Sequence, residues 1–437
     1  MELTIEKLVY GGDGLARLPA DQHGRGKAVF VPFVLEGERV EASLHQQKRG
    51  FARGWAKSIR QASPHRIEAL CPYFQRCGGC HYQHTSYEHQ LEIKAAILKE
   101  NLLRIAKLEL AVELKIHPSP PWNYRNRTRF KVRTSPDFAI GYYRFNSHEL
   151  QPVEQCPISS PLINRALASL WQLGRTGTFS ATAGWQEIEL FANAEDTQLL
   201  IEAYWVPGAP TESAAQLTEI LRKIGAEVVG VVAFKNSVPD PLGNRADEAE
   251  EIASNGAKEF VYQTRRQGYR VSAAAFFQVN RHLTDELVGI VTELQAGKTA
   301  LDLYAGVGLF SAVLNREFER VIAVESSPAS HADLVHNSPA NVKAVHARTE
   351  QYLKNVAGKL QPDLVVVDPP RGGLGEAVVE NLLALGSPRM VYVSCDPATL
   401  ARDLGGLLGA GYRVQQAHLV DLFPQTYHLE SVFHLAR

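Results

Sequence analysis

The sequence predicts an α/β protein in which a doubly wound sheet at the C-terminus follows a small β-barrel and an α+β region carrying a cysteine cluster. Three observations carry this. From about residue 271 onward, helical patterns alternate with short apolar runs, as in a parallel sheet covered on both faces. Residues 1 to about 61 instead read as short strands broken by glycine, the spacing of a small barrel. Five cysteines divide four and one: Cys71, Cys77 and Cys80 in CPYFQRCGGC, Cys156 in EQCPIS, and Cys395 alone in VYVSCDPATL. The expected domains are 1–61, 62–270 and 271–437.

A chain of 437 residues can build two or three cores, and 45% hydrophobic with 21% charged residues is an ordinary globular composition. The N-terminus lacks the charged head and apolar core of a signal peptide, and no apolar run approaches a membrane span. A cytoplasmic protein is expected, in which clustered cysteines bind metal more often than they form disulfides. The net charge of −1 gives no global sign of nucleic-acid binding, so any such surface is a local patch.

In chain order, LTIEKLV, GLARL, KAVFVPF, ERVEASLHQ and WAKSIRQ are the barrel strands. The barrel ends in Lys48, Arg49, Arg53, Lys57, Arg60 and Arg66, either a solvated edge or a nucleic-acid surface. After the first three cysteines, YEHQLEIKAAILKENLLRI reads as a helix. In WNYRNRTRFKVR, Arg125, Arg127, Arg129, Lys131 and Arg133 alternate, so a strand would present five cations on one face. Such a stripe needs an anion over it, either a nucleic acid or acids on adjacent strands. Residues 135–270 give mixed signals.

QVNRHLTDELVGIVTEL then reads as a helix, and KTALDLY, RVIAVES, VKAVHA, DLVVVDPP and RMVYVSC as buried parallel strands. YRVQQAHLVDLF and ESVFHLAR close the chain as an antiparallel hairpin at one sheet edge. Seven strands ending in this way resemble a Rossmann-like class I methyltransferase. Gly306 and Gly308 let backbone approach a ligand at a strand-to-helix turn. Glu325 ends the next strand, where an acid can accept bonds from ribose hydroxyls, although a plain surface acid also fits there. Without a third glycine, this pattern favours S-adenosylmethionine over a dinucleotide. Asp368-Pro-Pro-Arg371 places an acid and a rigid loop at the carboxyl end of the fourth strand. Cys395 ends the fifth, with Asp396 and Pro397 as N-cap and first residue of a helix whose N-terminus favours a thiolate, partly opposed by the charge of Asp396. Most cysteines at such positions are small hydrophobes, but the same crevice expects a base, Glu430 or His428, from FPQTYHLESV. The other four thiols suit either zinc or an iron–sulfur cluster.

FFQVN at 276–280, DLYAGVGLF, DPPRGGL, VSCDPATLARDL and FPQTYHLESV together resemble the RNA uracil-5-methyltransferase family over nearly the whole chain. The resemblance implies methyl transfer from S-adenosylmethionine to carbon 5 of a uridine. It makes Cys395 the nucleophile, Glu430 the proton-abstracting base, and Gln278, Tyr304, Glu325 and Asp368 cofactor contacts beside the Gly306 and Gly308 turn. The family's ribosomal branch often has asparagine where this chain has Leu309, so no polar contact is carried to that position. The barrel resembles a TRAM RNA-binding module. Cys71, Cys77, Cys80 and Cys156 match the ligands of a [4Fe–4S] cluster. TRAM and cluster together imply 23S ribosomal RNA as the partner of a monomeric enzyme, with no DNA and no membrane involved.

The chemistry accounts for the residue pair. Carbon 5 of uracil is a poor nucleophile until a thiolate adds at carbon 6, and a base must then remove the carbon 5 proton so that the thiol can leave. An RNA cytosine-5-methyltransferase would carry a proline–cysteine dipeptide, which is missing here. Two more readings fit the same motifs: a tRNA-directed uracil-5-methyltransferase, and a non-catalytic RNA-binding or ribosome-assembly factor.

Overall fold

The computed structural model describes residues 1–19, 26–180, 182, 184–235, 250–293 and 295–437. Strands β1 (Glu2–Thr4), β2 (Lys7–Leu8), β3 (Asp13–Arg17), β4 (Ala28–Pro32), β5 (Arg39–Gln47) and β6 (Phe51–Gln61) form a sheet in the order β1-β5-β6-β4-β3-β2. Leu3, Val29, Val31, Val40 and Ala52 give it a core of its own. Its basic end is partly neutralised from within: Arg53 pairs with Asp13, Arg60 with Glu41, and Arg66 with the buried Glu38.

Helix α1 (Tyr87–Asn101), capped by the Ser86 side chain, and the short strand β7 (Leu114–His117) come next. A central sheet follows, of β8 (Arg127–Arg133), β9 (Ala139–Tyr143), β10 (Leu150–Pro152), β11 (Trp185–Ala192), β12 (Leu199–Trp205), β13 (Val228–Lys235) and β14 (Glu250–Gly256). Their order is β10-β9-β8-β11-β12-β13-β14, and α2 (Pro161–Arg175) and α3 (Ala214–Arg222) share its apolar core.

For the middle of the basic stripe, this sheet supplies the second of the two expected anions, acids on adjacent strands. β8 runs antiparallel to β11 with Lys131 opposite Glu187 and Arg129 opposite Glu189. Arg127 therefore pairs with Glu189 and Glu202, Arg129 with Glu187 and Glu189, and Lys131 with Glu187. Opposite charges directly across a ladder are favourable neighbours, and here they take up the middle of the stripe. Arg133 is exposed, and Arg125 lies before the strand begins.

The hairpin β15 (Glu259–Gln263) and β16 (Gly268–Ser272) leads to α4 (Thr284–Thr292) and the doubly wound domain. Its strands are β17 (Gly297–Leu303), β18 (Phe318–Glu325), β19 (Val342–His346), β20 (Leu364–Val367), β21 (Arg389–Ser394), β22 (Arg413–Val420) and β23 (Glu430–Ala436). Between them run α5 (Ser311–Leu314), α6 (Pro328–Asn337), α7 (Thr349–Val356), α8 (Glu376–Leu385) and α9 (Pro397–Gly409). The sheet order is β19-β18-β17-β20-β21-β23-β22-β7. The two closing strands pair antiparallel, as expected, but they are not the edge. β23 inserts between β21 and β22, and β7 adds parallel to β22 beyond it.

Side chains alternate across the sheet. Ala300, Val321, Val366 and Val391 enter one core with α4, α5 and α6, whereas Leu301, Ile322, Val365 and Tyr392 enter the other with α1, α8 and α9. Among the described residues, no helix is long and apolar enough to cross a membrane.

Candidate active site

Parallel strands end on one side of a sheet, and register decides which residues meet there. Leu303 of β17 is level with Val324 of β18 and Val367 of β20, so Tyr304, Glu325 and Asp368 come next on three adjacent strands. Ser394 of β21 is level with Ser431 of β23, which sets Cys395 and Glu430 opposite each other one step further. These five, with Gln278 and Gly306, line a single crevice of about 990 Å³. Gly308 does not line it. Its φ is +91° and an added Cβ would stand 2.9 Å from Leu334 of α6, so this glycine serves the turn and the packing of that helix.

The turn and the acid of the second strand are joined. Glu325 Oε2 accepts the Gly306 amide at 2.8 Å, and its Oε1 accepts the Ser326 and Ser327 amides at 2.8 and 2.7 Å. Tyr304 is held at a φ of 62°, in the left-handed region that an aromatic residue seldom adopts. Gln278 is buried beside Asn280, whose Nδ2 donates to Ser119 Oγ and to the Leu422 carbonyl, while Phe276 stands 63% exposed on the crevice wall.

Part of VSCDPATLARDL positions the neighbouring loop. Thr399 donates to the Arg371 carbonyl at 3.2 Å, and Asp403 accepts both the Leu374 amide and the Tyr392 hydroxyl at 2.7 Å. Gly373 has a φ of +71°, and a Cβ there would come within 2.5 Å of the Asp403 carboxylate.

The loop before Glu430 is anchored by residues that the sequence does not single out. Gln90 of α1 exchanges two bonds with Gln425, at 2.9 and 3.0 Å. Lys94, fully buried, donates to Asp421 at 2.6 Å and to the Phe423 carbonyl at 2.9 Å. From the barrel, the Tyr10 hydroxyl donates to the carbonyl of Cys395 at 3.1 Å. No local signal marks these residues, because their partners lie more than 300 positions away.

Arg125, Arg129, Arg348 and Arg371 line the crevice together with its acids, yet burial and like charge dominate at the carboxyls deepest in it. Burial, and then Glu325, pushes Asp302 up to about 7 against the hydrogen bond from Ser311. Burial, and then Asp302, lifts Asp368 to about 7. Burial and Asp368 raise Glu430 well above the usual carboxyl range, and its Oε1 has no hydrogen-bond partner. Burial, followed by Glu430 and Asp368, pushes the Cys395 thiol up to about 12, with Arg371 opposing.

Burial, Glu430 and Asp368 thus outweigh the α9 N-terminus at the thiol, and the expected opposition of Asp396 adds to them. Asp396 does cap that helix, but by accepting the Ala398 and Thr399 amides it occupies the donors and adds an anion beside the sulfur. His428 moves the other way. Burial, and then Arg371, pushes it down to about 3, and Arg371 Nη2 reaches its Nε2 at 3.4 Å. Glu430 is thus the stronger base of the two once ionised.

Cys71, Cys77, Cys80 and Cys156 converge on a second cavity, of about 280 Å³. Burial and mutual charge, Cys156 included, raise the Cys71, Cys77 and Cys80 thiols, Cys77 to about 12. Among the described residues, no three His, Cys, Asp or Glu side chains close on a point that would hold a single metal ion. Arg125, Arg129 and His428 line both cavities, so the cysteine pocket backs onto the crevice.

This geometry agrees with the relatives of the chain. An uncharacterized RNA methyltransferase of Aquifex aeolicus is 34% identical over 99% of this chain and 97% of its own length. One from Gloeobacter violaceus is 33% identical over 100% and 96%. The crystal structure of Pyrococcus abyssi tRNA (uracil-54, C5)-methyltransferase in complex with S-adenosyl-L-homocysteine superposes over 100% of both chains with a TM-score of 0.75 at 23% identity, a likeness of fold. The sequence model of the TRAM domain matches residues 1–57. That of the tRNA (uracil-5-)-methyltransferases matches residues 86–437, and the chain belongs to this family of RNA methyltransferases.

Proposed function

We propose that this protein transfers a methyl group from S-adenosylmethionine to carbon 5 of a uridine in RNA through a covalent bond between Cys395 and carbon 6. The observation that carries this reading is the register that sets Cys395 opposite Glu430, beside Asp368, in one crevice. S-adenosylmethionine supplies an electrophilic methyl group. Glu325 is placed to accept its ribose hydroxyls, with Gln278, Tyr304, Gly306 and Asp368 as its other contacts. Buried carboxyls without paired cations suit a positively charged sulfonium, and Asp368, Glu430 and Cys395 each ionise more readily beside a cation.

Cys395 loses its proton to solvent beside the bound sulfonium, and the thiolate bonds to carbon 6 as the electron pair of the 5,6 double bond becomes an enolate. Carbon 5 takes the methyl group as the methyl–sulfonium bond breaks and S-adenosylhomocysteine leaves. Glu430, as a carboxylate, then removes the carbon 5 proton, the double bond re-forms, and the carbon–sulfur bond breaks to return the thiolate, which takes a proton back from solvent.

We read Cys71, Cys77, Cys80 and Cys156, which line one cavity, as ligands of a [4Fe–4S] cluster; their spacing, unlike that of common zinc ribbons, and the family resemblance support this reading. The barrel and this cluster support 23S ribosomal RNA as substrate and a monomer working in the cytoplasm. A tRNA uridine is the second reading, favoured by the description of the matching family. Mapping 5-methyluridine in both RNAs of a deletion strain decides between them.

Cys395→Ala is expected to abolish transfer while leaving RNA and cofactor binding intact. Glu430→Gln is expected to slow turnover by about 10²–10⁴-fold and to accumulate a denaturation-resistant adduct with methylated RNA. If His428→Ala traps that adduct and Glu430→Gln turns over normally, the base is misassigned. Anaerobically purified protein is expected to be brown and to bleach on Cys156→Ser; colourless protein with one zinc per chain rules the cluster out.

A further inference from the structure

We propose that Tyr10, on the turn between β2 and β3, is a positioning residue for Cys395, which makes the N-terminal barrel part of the catalytic apparatus as well as a surface for RNA. This rests on reading Cys395 as the nucleophile.

The Tyr10 hydroxyl donates to the Cys395 carbonyl at 3.1 Å, across 385 residues of sequence. That carbonyl belongs to the short link between the end of β21 and the Asp396 cap of α9, so the bond fixes the peptide from which the thiol projects. Burial raises the Tyr10 phenol, which therefore stays protonated and donates throughout the working pH range.

The ring is held as well as the hydroxyl. It meets Tyr427 edge-on at 5.4 Å, and Tyr427 lies 4.1 Å from His428 on the crevice wall. Two further contacts fasten the barrel to the same layer. Lys7 pairs with Glu100 of α1. Gly12, at a φ of +91°, lies so close to His81 that an added Cβ would meet its ring at 3.1 Å. The amides of His81 and Tyr82 in turn donate to the Gln425 carbonyl, in the loop that carries Glu430. The barrel turn therefore touches the backbone of Cys395 directly and, through His81, the loop that leads to Glu430. RNA gripped by the barrel is held in fixed register with the sulfur, and a shift of roughly 1 Å at a reacting atom can cost about 10²-fold in rate.

The test is Tyr10→Phe in the full chain, which keeps the ring and deletes one donor. Single-turnover methylation at saturating RNA is expected to slow about threefold to tenfold, the range one net hydrogen bond allows. The KM values for RNA and S-adenosylmethionine should not change. The rate of Cys395 alkylation by iodoacetamide, located by mass spectrometry in RNA-free protein, should shift, a readout that a merely structural contact leaves unmoved. RNA carrying 5-fluorouridine separates this inference from its parent. If wild-type protein forms no adduct at Cys395, the parent reading fails and this one with it. If wild-type protein forms the adduct and Tyr10→Phe matches its trapping, alkylation and single-turnover rates, only the positioning role is overturned. Weaker RNA binding with an unchanged rate at saturation overturns it too, and leaves the barrel as a handle alone.

Discussion

In the central sheet, Arg127, Arg129 and Lys131 face Glu187, Glu189 and Glu202 across neighbouring strands. Glu202, fully buried, receives Arg127, the Tyr204 hydroxyl and the Ala274 amide. In the crevice of the C-terminal sheet, Asp368 and Glu430 crowd together above the fully buried Asp302, and one oxygen each of Asp302 and Glu430 has no hydrogen-bond partner. Both regions bury acids. In the first, Arg127, Arg129 and Lys131 have each found an anion and the result is structure. In the second, burial and like charge hold protons on groups that would ordinarily lose them, and that strain is relieved by a cationic ligand or by reaction.

The largest effect is expected where the charges are matched. Arg127→Met removes the partner of two buried carboxylates and should cost about 3–5 kcal/mol, read as a fall in the denaturant midpoint at constant slope. Adding Glu202→Gln should recover part of the loss, as expected for groups in one network. The salt dependence of RNA binding should stay as it is. A stable Arg127→Met protein with a reduced salt slope would mean that these cations serve RNA after all.

In the crevice the sign reverses. The folded pKa of Asp368, about 7, lies above its ordinary value of 3.8, so its contribution to stability is present in acid and lost as pH rises through about 7. Asp368→Asn should match wild type near pH 4 and exceed it by about 1–3 kcal/mol at pH 8, less than the full linkage because the residue keeps some contact with solvent. Affinity for S-adenosylmethionine should fall in the same variant. Parallel stability curves between pH 4 and 8 would show that the crevice stores no strain at Asp368.

The contrast also explains what could be read in advance. Tyr304, Glu325, Asp368, Cys395 and Glu430 were legible because strand ends converge whatever the packing between them. The pairing of the stripe was half legible. Glu187 and Glu189 alternate in WQEIELFA as the cations do in RTRFKVR, and two complementary period-two patterns mark strands that can neighbour each other. The buried Glu202 in LLIEAYW carried no such period. Lys94 and Gln90 were invisible, since a helix with mixed polar residues reads as solvated until the distant loop it holds is known. β7 escaped notice because four residues, LKIH, are too short to show alternation. At Cys395 the location and the opposing charge of Asp396 were legible, but the larger causes that raise the thiol, its burial and the nearness of Glu430 and Asp368, come from packing.

The smallest expected effect tests the seam between the two regions. Arg125 lies at the start of the stripe, outside β8, and lines both the cysteine cavity and the crevice. Its Nε donates to the Arg127 carbonyl at 3.0 Å, and it makes no ion pair among the described residues, whereas Arg129, two positions on in the alternation, holds two glutamates and stacks 3.8 Å over the Tyr204 ring. A cation whose charge is unanswered can release a counterion when a phosphate arrives, and one already paired cannot do so without breaking its pair. Arg125→Gln should therefore flatten the log–log dependence of RNA affinity on salt by about 0.7–0.9, the share of one phosphate contact, with the fold's stability nearly unchanged. Arg129→Gln should do the reverse, lowering the unfolding midpoint while the slope stays close to wild type. Equal slopes for the two variants would erase the distinction between matched and unmatched charge on this strand.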